Sequence, residues 1–213
     1  VEHNKPSGIE RRYITASVAN FITREDNGKT IVRGYAAVFN SMSEDLGGFK
    51  EKIAPGFFDK VLANDVRALF NHDSNLILGR TASGTCRIGV DANGLWFEYD
   101  DPQTSYSEDL QKSLIRGDVS QCSFAFSINY DSGDLWEKQP DGSYIRTLLI
   151  CEQLYDVSPV TYPAYTGTSV GMRANDLAVA YRSLETIRQA ETPPPPAYDF
   201  ARSVERIRLS QLS

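Results

Sequence analysis

Apolar and polar residues alternate most cleanly in the stretch from Gly117 to Ile128, GDVSQCSFAFSI. From Cys122 onward, Cys122, Phe124, Phe126 and Ile128 fall on one face of an extended strand, and Ser123, Ala125 and Ser127 on the other. One face suits a core; the other carries only small side chains and hydroxyls. The same period runs upstream through YITASVANFITRE and KTIVRGYAAVFN around Asp26-Asn27-Gly28, which predicts a hairpin, since Asn and Gly accept the positive φ of tight turns. CRIGVDANGLWFEYD predicts a second hairpin, with Leu95, Phe97 and Tyr99 facing inward. A third is centred on Pro140-Asp141-Gly142, and its return arm places Leu148, Ile150, Glu152, Leu154 and Asp156 on one face before Pro159 and Pro163 end it. In VRALFNHD, Val66, Ala68, Phe70 and His72 share a strand face, so His72 falls at the polar end of a core-directed strand.

Helical spacing is rarer. SMSEDLGGFKEKIAPG reads as a long loop, after which Pro55 and Gly56 open a short helix through Phe57, Phe58, Val61 and Leu62. TSYSEDLQKSLI predicts a helix capped by Thr104 or Ser105, burying Leu110, Leu114 and Ile115 and ending at Gly117. Near the C-terminus, Leu177, Ala180, Tyr181, Leu184 and Ile187 line a helix capped by Asn175. The expected organisation is a polar, flexible leader at 1–12, a main domain at 13–173, a helix at 174–192, and a proline spacer with an amphipathic tail at 193–213. The fold class is α+β, mainly β.

Composition narrows the chemistry. The chain has 213 residues and a formal charge of -6, which argues against a nucleic-acid backbone as partner. No apolar run of spanning length and no signal-peptide pattern occurs, so neither a membrane partner nor secretion is expected. The three cysteines, Cys86, Cys122 and Cys151, match no zinc or disulfide framework, and with only His3 and His72 no metal and no cofactor is expected. An imidazole base would therefore be His72.

A serine hydroxyl becomes a nucleophile when such a base takes its proton, and a carboxylate on the other ring nitrogen fixes the tautomer. Ser123 lies on the small-residue face, from which its hydroxyl can be presented to a docked substrate. Glu152 and Asp156 share a face roughly 13 Å apart on an ideal strand, so only one of them can orient a histidine. Cys122 is the rival nucleophile, although its parity directs it toward the apolar face. Ser127 shares the parity of Ser123 further along.

Three blocks carry a family resemblance: LFNHD followed by Gly79 and Arg80, then GDVSQCSFAF, then LYDVSPVTYPAY, with RGYAAVFN and IAPGFFDK in support. In this order and spacing the chain resembles the prohead proteases of tailed bacteriophages over roughly residues 30 to 173. The serine and histidine blocks also look like those of the herpesvirus assemblins. The resemblance implies a compact assemblin-like β-barrel surrounded by a few helices. It further implies a serine endopeptidase that cleaves scaffold or major-capsid-protein delta regions, and often itself, inside an assembling prohead in the host bacterial cytoplasm. Its nucleophile falls on Ser123, its histidine on His72 and its acid on Asp156, where many members carry glutamate; Ala125 stands where many carry glycine. Gly79 and Arg80 fall at a turn that is either substrate-facing or structural. Self-association is a further expectation by analogy. A capsid-assembly or scaffold-binding protein without catalysis is the alternative from another class, suggested by the leader, spacer and tail.

Overall fold

The computed structural model describes residues 8–14, 19–161 and 170–191. Twelve strands and two helices are assigned among them: β1 (Glu10–Ile14), β2 (Ile22–Asp26), β3 (Lys29–Val38), β4 (Phe49–Ile53), β5 (Arg67–Phe70), β6 (Asp73–Arg80), β7 (Cys86–Val90) and β8 (Gly94–Asp100). Helix α1 (Ser105–Arg116) follows, then β9 (Gln121–Ser127), β10 (Asp134–Lys138), β11 (Tyr144–Leu148), β12 (Gln153–Val160) and α2 (Val170–Glu191). The strands form three sheets, ordered β1-β9-β12-β5-β6, β2-β3-β8-β7 and β10-β11-β4. The mainly β class is thus observed, whereas no closed barrel is found among the described residues.

Local chemistry accounts for the elements that match expectation. Asn27 and Gly28 both have positive φ (50° and 75°) and join β2 to β3 through the Asp26–Lys29 pair, a two-residue turn matched to strand twist. Helix α1 begins with a reciprocal capping box between Thr104 and Ser107 and ends at Gly117 in the left-handed conformation. Phe57, Phe58, Phe124 and Phe126 interlock with ring centroids 4.7 to 5.5 Å apart. They form the centre of a core shared by the inner face of the five-stranded sheet, the four-stranded sheet and Leu110 of α1.

Several expectations are corrected. Glu10, Arg11 and Arg12 are not leader: they lie in β1, which pairs antiparallel with β9 and sets Tyr13 opposite Ser123. The loop before Pro55 contains β4, which pairs parallel with β11. No helix forms at Phe57–Leu62; successive turns close through bonds from Phe57 N–H to Ala54 and from Val61 N–H to Phe58, with both phenylalanines still fully buried. Ile115 is 77% exposed, because it lies off the stripe that carries Leu110. The single return arm after Gly142 is two strands in different sheets, β11 and β12. Pro159 continues β12 opposite Cys122 instead of ending it, and Pro163 lies outside the described residues. Helix α2 starts before Asn175, and its Ala180 and Leu184 dock against Phe49 and Tyr144. Residues 1–7 and 192–213, including His3, the proline spacer and the tail, lie outside the described residues.

A buried ionic cluster ties β1 to the small sheet. Arg146 is fully buried and donates to Glu10, Glu51 and Asp134, while Arg12 bridges Glu10 and Glu51 at 2.6 and 2.5 Å. Burial alone would raise the Glu10 carboxyl, but the Arg146 and Arg12 guanidinium groups overcome it and hold the group down at about 2. Burial wins at Asp134, whose carboxyl is shifted upward despite Arg146.

Candidate active site

His72 does not occupy a strand face. Asn71 and His72 are the two central residues of the turn between β5 and β6, both left-handed with φ of 56° and 58°, and Phe70 pairs with Asp73 across them. Asn and His accept this conformation more readily than most residues, and the hairpin twist favours it. The turn lies at the end of β5, two strands from β9, and the imidazole reaches back over β12.

Asp156 reaches the same place through a β-bulge. Leu154 pairs with Phe126 and Asp156 pairs with Ala125, so Tyr155 is an extra residue on β12. Simple alternation would have put Leu154 and Asp156 on one face. The inserted residue separates them: Leu154 is fully buried in the core, and Asp156 points to the face that carries Ser123.

The three side chains meet in line. His72 Nε2 lies 2.7 Å from Ser123 Oγ, and His72 Nδ1 lies 2.6 Å from Asp156 Oδ1. With Asp156 ionised and acceptor-only, both contacts are satisfied when Nδ1–H donates to the carboxylate and the Ser123 hydroxyl donates to Nε2. Ser123 is 3% exposed, and the His72 and Asp156 side chains are 14% and 11% exposed. The hydroxyl is thus largely withdrawn from water while the ring above it keeps a solvent-facing side.

The remaining candidates separate from this group. Cys122 faces the core, 0% exposed, and burial pushes its thiol far above the ordinary value, which removes the thiolate a cysteine nucleophile needs. Glu152 is exposed in the link between β11 and β12, away from the imidazole that Asp156 holds. Ser127 Oγ contacts the Tyr155 hydroxyl at 3.3 Å. Gly79 permits close packing of β6, since a Cβ there would come within 2.8 Å of the Thr85 carbonyl. Arg80 holds Asp65 through two bonds, a structural role for that turn. No cluster of metal-ligating side chains occurs among the described residues.

Two residues at the site escaped the sequence reading. Ser158, fully buried, donates to Asp156 Oδ1 at 2.8 Å, so that one carboxylate oxygen receives both Ser158 and His72. Its parity with Asp156 in DVS was the available signal. Asn71 joins its side chain to Thr161, just past the end of β12. The Asn-His pair between two apolar runs was legible as a turn.

Residues 19–183 match the family model of the caudovirus prohead serine proteases. The chain belongs to that family. This prohead protease therefore carries, within the matched segment, a serine, a histidine and an aspartate in hydrogen-bonding contact. Strand β1, which lies alongside the serine strand of the prohead protease, precedes the match. Comparison with curated proteins and with solved structures returned no match.

Proposed function

We propose that this prohead protease is a serine endopeptidase in which Ser123 is the nucleophile, His72 the general base and acid, and Asp156 the orienting carboxylate. The observation that carries this reading is the His72 ring bridging Ser123 Oγ and Asp156 Oδ1 at 2.7 and 2.6 Å. Ser123 Oγ attacks the scissile carbonyl carbon as His72 Nε2 takes its proton. Asp156 stabilises the imidazolium, and the proton then passes to the leaving amine as the C–N bond breaks. Water repeats the sequence on the acyl-enzyme, releasing the carboxylic acid and restoring Ser123. Sub-3-Å contacts already present in the free protein leave little reorganisation before attack.

Membership of the family points to scaffold or major capsid protein as substrate, including delta regions, and to self-cleavage, within the prohead assembling in the host cytoplasm. Co-expression with the cognate capsid protein, followed by intact-mass measurement of both chains, tests the reading. Cleavage is expected with the unaltered protein and with Cys122→Ala, and none with Ser123→Ala; Asp156→Asn should slow it by about 10³–10⁴. Unimpaired cleavage by Ser123→Ala excludes the serine assignment. Absence of cleavage in every form, with no fluorophosphonate labelling of Ser123, would favour a binding protein without catalysis.

A further inference from the structure

Resting on the triad reading above, we propose that Asn71 is a positioning residue, which pins the His72 turn to the strand carrying Asp156. The ladder between β5 and β12 consists of Asp156–Arg67 and Val157–Ala68 and ends there, three residues short of Asn71. Past that point the attachment passes through Asn71. Its backbone N–H donates to the Pro159 carbonyl at 3.0 Å, its Nδ2 donates to Thr161 Oγ1 at 3.1 Å, and its Oδ1 accepts from the Thr161 N–H at 2.8 Å.

These bonds have a specific geometric task. The chain between Phe70 and Asp73 holds two successive non-glycine residues in the left-handed region, a conformation that a Cβ disfavours. A turn held only by its own hairpin would keep that shape yet could pivot relative to β12. The Asn71 amide, through its two bonds to Thr161, fixes the turn to the end of the strand on which Asp156 sits five residues earlier and Ser158 three residues earlier. The imidazole is thereby held in register with both of its partners. Pro159, in this interior strand, takes part through its carbonyl, which proline retains and which accepts the Asn71 amide.

Three substitutions separate positioning from turn shape. Asn71→Gly preserves the left-handed turn and deletes the amide; Asn71→Ala deletes the amide and strains the turn. Asn71→Asp keeps Oδ1 for the Thr161 N–H and gives the Thr161 hydroxyl an acceptor. Each variant is measured for its inactivation rate constant and its apparent affinity with a fluorophosphonate probe, read by intact mass, with melting temperature in parallel. Asn71→Gly and Asn71→Ala are expected to lower the rate constant between about tenfold and a hundredfold at unchanged probe affinity, and Asn71→Asp to restore most of it. Labelling of Asn71→Gly at the rate of the unaltered protein, or loss of rate in proportion to loss of fold in all three variants, overturns the proposal. Labelling that persists in Ser123→Ala, or never occurs in the unaltered protein, instead overturns the triad reading.

Discussion

Replacing Arg146 by methionine tests how far the serine strand depends on a buried charge cluster. The guanidinium is 0% exposed and binds Glu10 at 2.7 and 3.0 Å, Glu51 at 2.9 Å and Asp134 at 2.7 Å. Methionine fills much of the volume but leaves Glu10 and Glu51 sharing Arg12 and takes the guanidinium away from Asp134, and breaking a buried pair in this way costs about 3–5 kcal/mol. For a domain of this size, each kcal/mol shifts the melting temperature by about 2–4 °C, so a fall of about 6–20 °C is expected near pH 8. The sign with pH follows from the cause. Arg146 helps hold the Glu10 carboxyl down at about 2, below its ordinary 4.5. Once the arginine is gone, Arg12 is the guanidinium left to oppose burial at Glu10, so the folded-state carboxyl moves up from that value. The variant's deficit is therefore largest at high pH and shrinks as the pH falls through that raised value and the group takes up a proton. Calorimetric melting at pH 5 and pH 8 reads both effects, and hydrogen exchange at the β9 amides reads the loss of β1. A melting temperature within 2 °C of the unaltered protein at pH 8, or a deficit larger at pH 5 than at pH 8, refutes the reasoning; the 2 °C limit is about 1 kcal/mol or less.

Four further outcomes follow from local features of the structure. Ser158→Ala removes a buried donor from the Asp156 carboxylate and should cost about 1.5–3 kcal/mol in urea unfolding; unchanged stability argues against a hydrogen bond to an ionised acid. Gly94→Ala would place a Cβ 2.0 Å from the Ala37 carbonyl oxygen, a backbone atom that cannot rotate away, so about 3 kcal/mol or more is expected by the same measurement. Gly28→Ala has open space and costs only the strain of its positive φ, about 1–2 kcal/mol; equal losses at the two positions would refute the steric account. Burial pushes the Cys86 and Cys151 thiols up to about 12 and Cys122 higher still, so an aromatic disulfide reagent at pH 8 should modify none in the native protein and all three in denaturant. Rapid reaction of native Cys122 would reopen the thiol nucleophile.

Much of this molecule is legible in its sequence. The alternation from Cys122 to Ile128 correctly separated the core-facing Phe124 and Phe126 from the face of Ser123, because a strand's two faces are a property of consecutive residues. The Asn27-Gly28 turn, the Asp91–Gly94 turn and the capped helix ending at Gly117 were readable for the same reason: their hydrogen bonds close within a few residues. What failed was the extension of alternation past its breaks. Alternation alone gives Asp156 the face of Leu154, and only the partner strand, by pairing Ala125 opposite Asp156, imposes the bulge at Tyr155 that turns the carboxylate toward Ser123. Alternation likewise puts His72 on a strand face, whereas its left-handed turn is stabilised by Asn71 contacts with Pro159 and Thr161, some ninety residues away.

The N-terminal segment shows the same division. Glu10-Arg11-Arg12 reads as a solvated polar run, since charge normally stays in water. Arg146 and Glu51, from distant strands, supply the opposite charges that make its burial tolerable and set β1 beside the nucleophile strand. The sequence alone determined which residue types could do the chemistry and the local geometry of each strand, turn and helix cap. Tertiary structure decided which of those residues meet, because register, bulges and buried ion pairs depend on free energies shared between segments that no local window contains together.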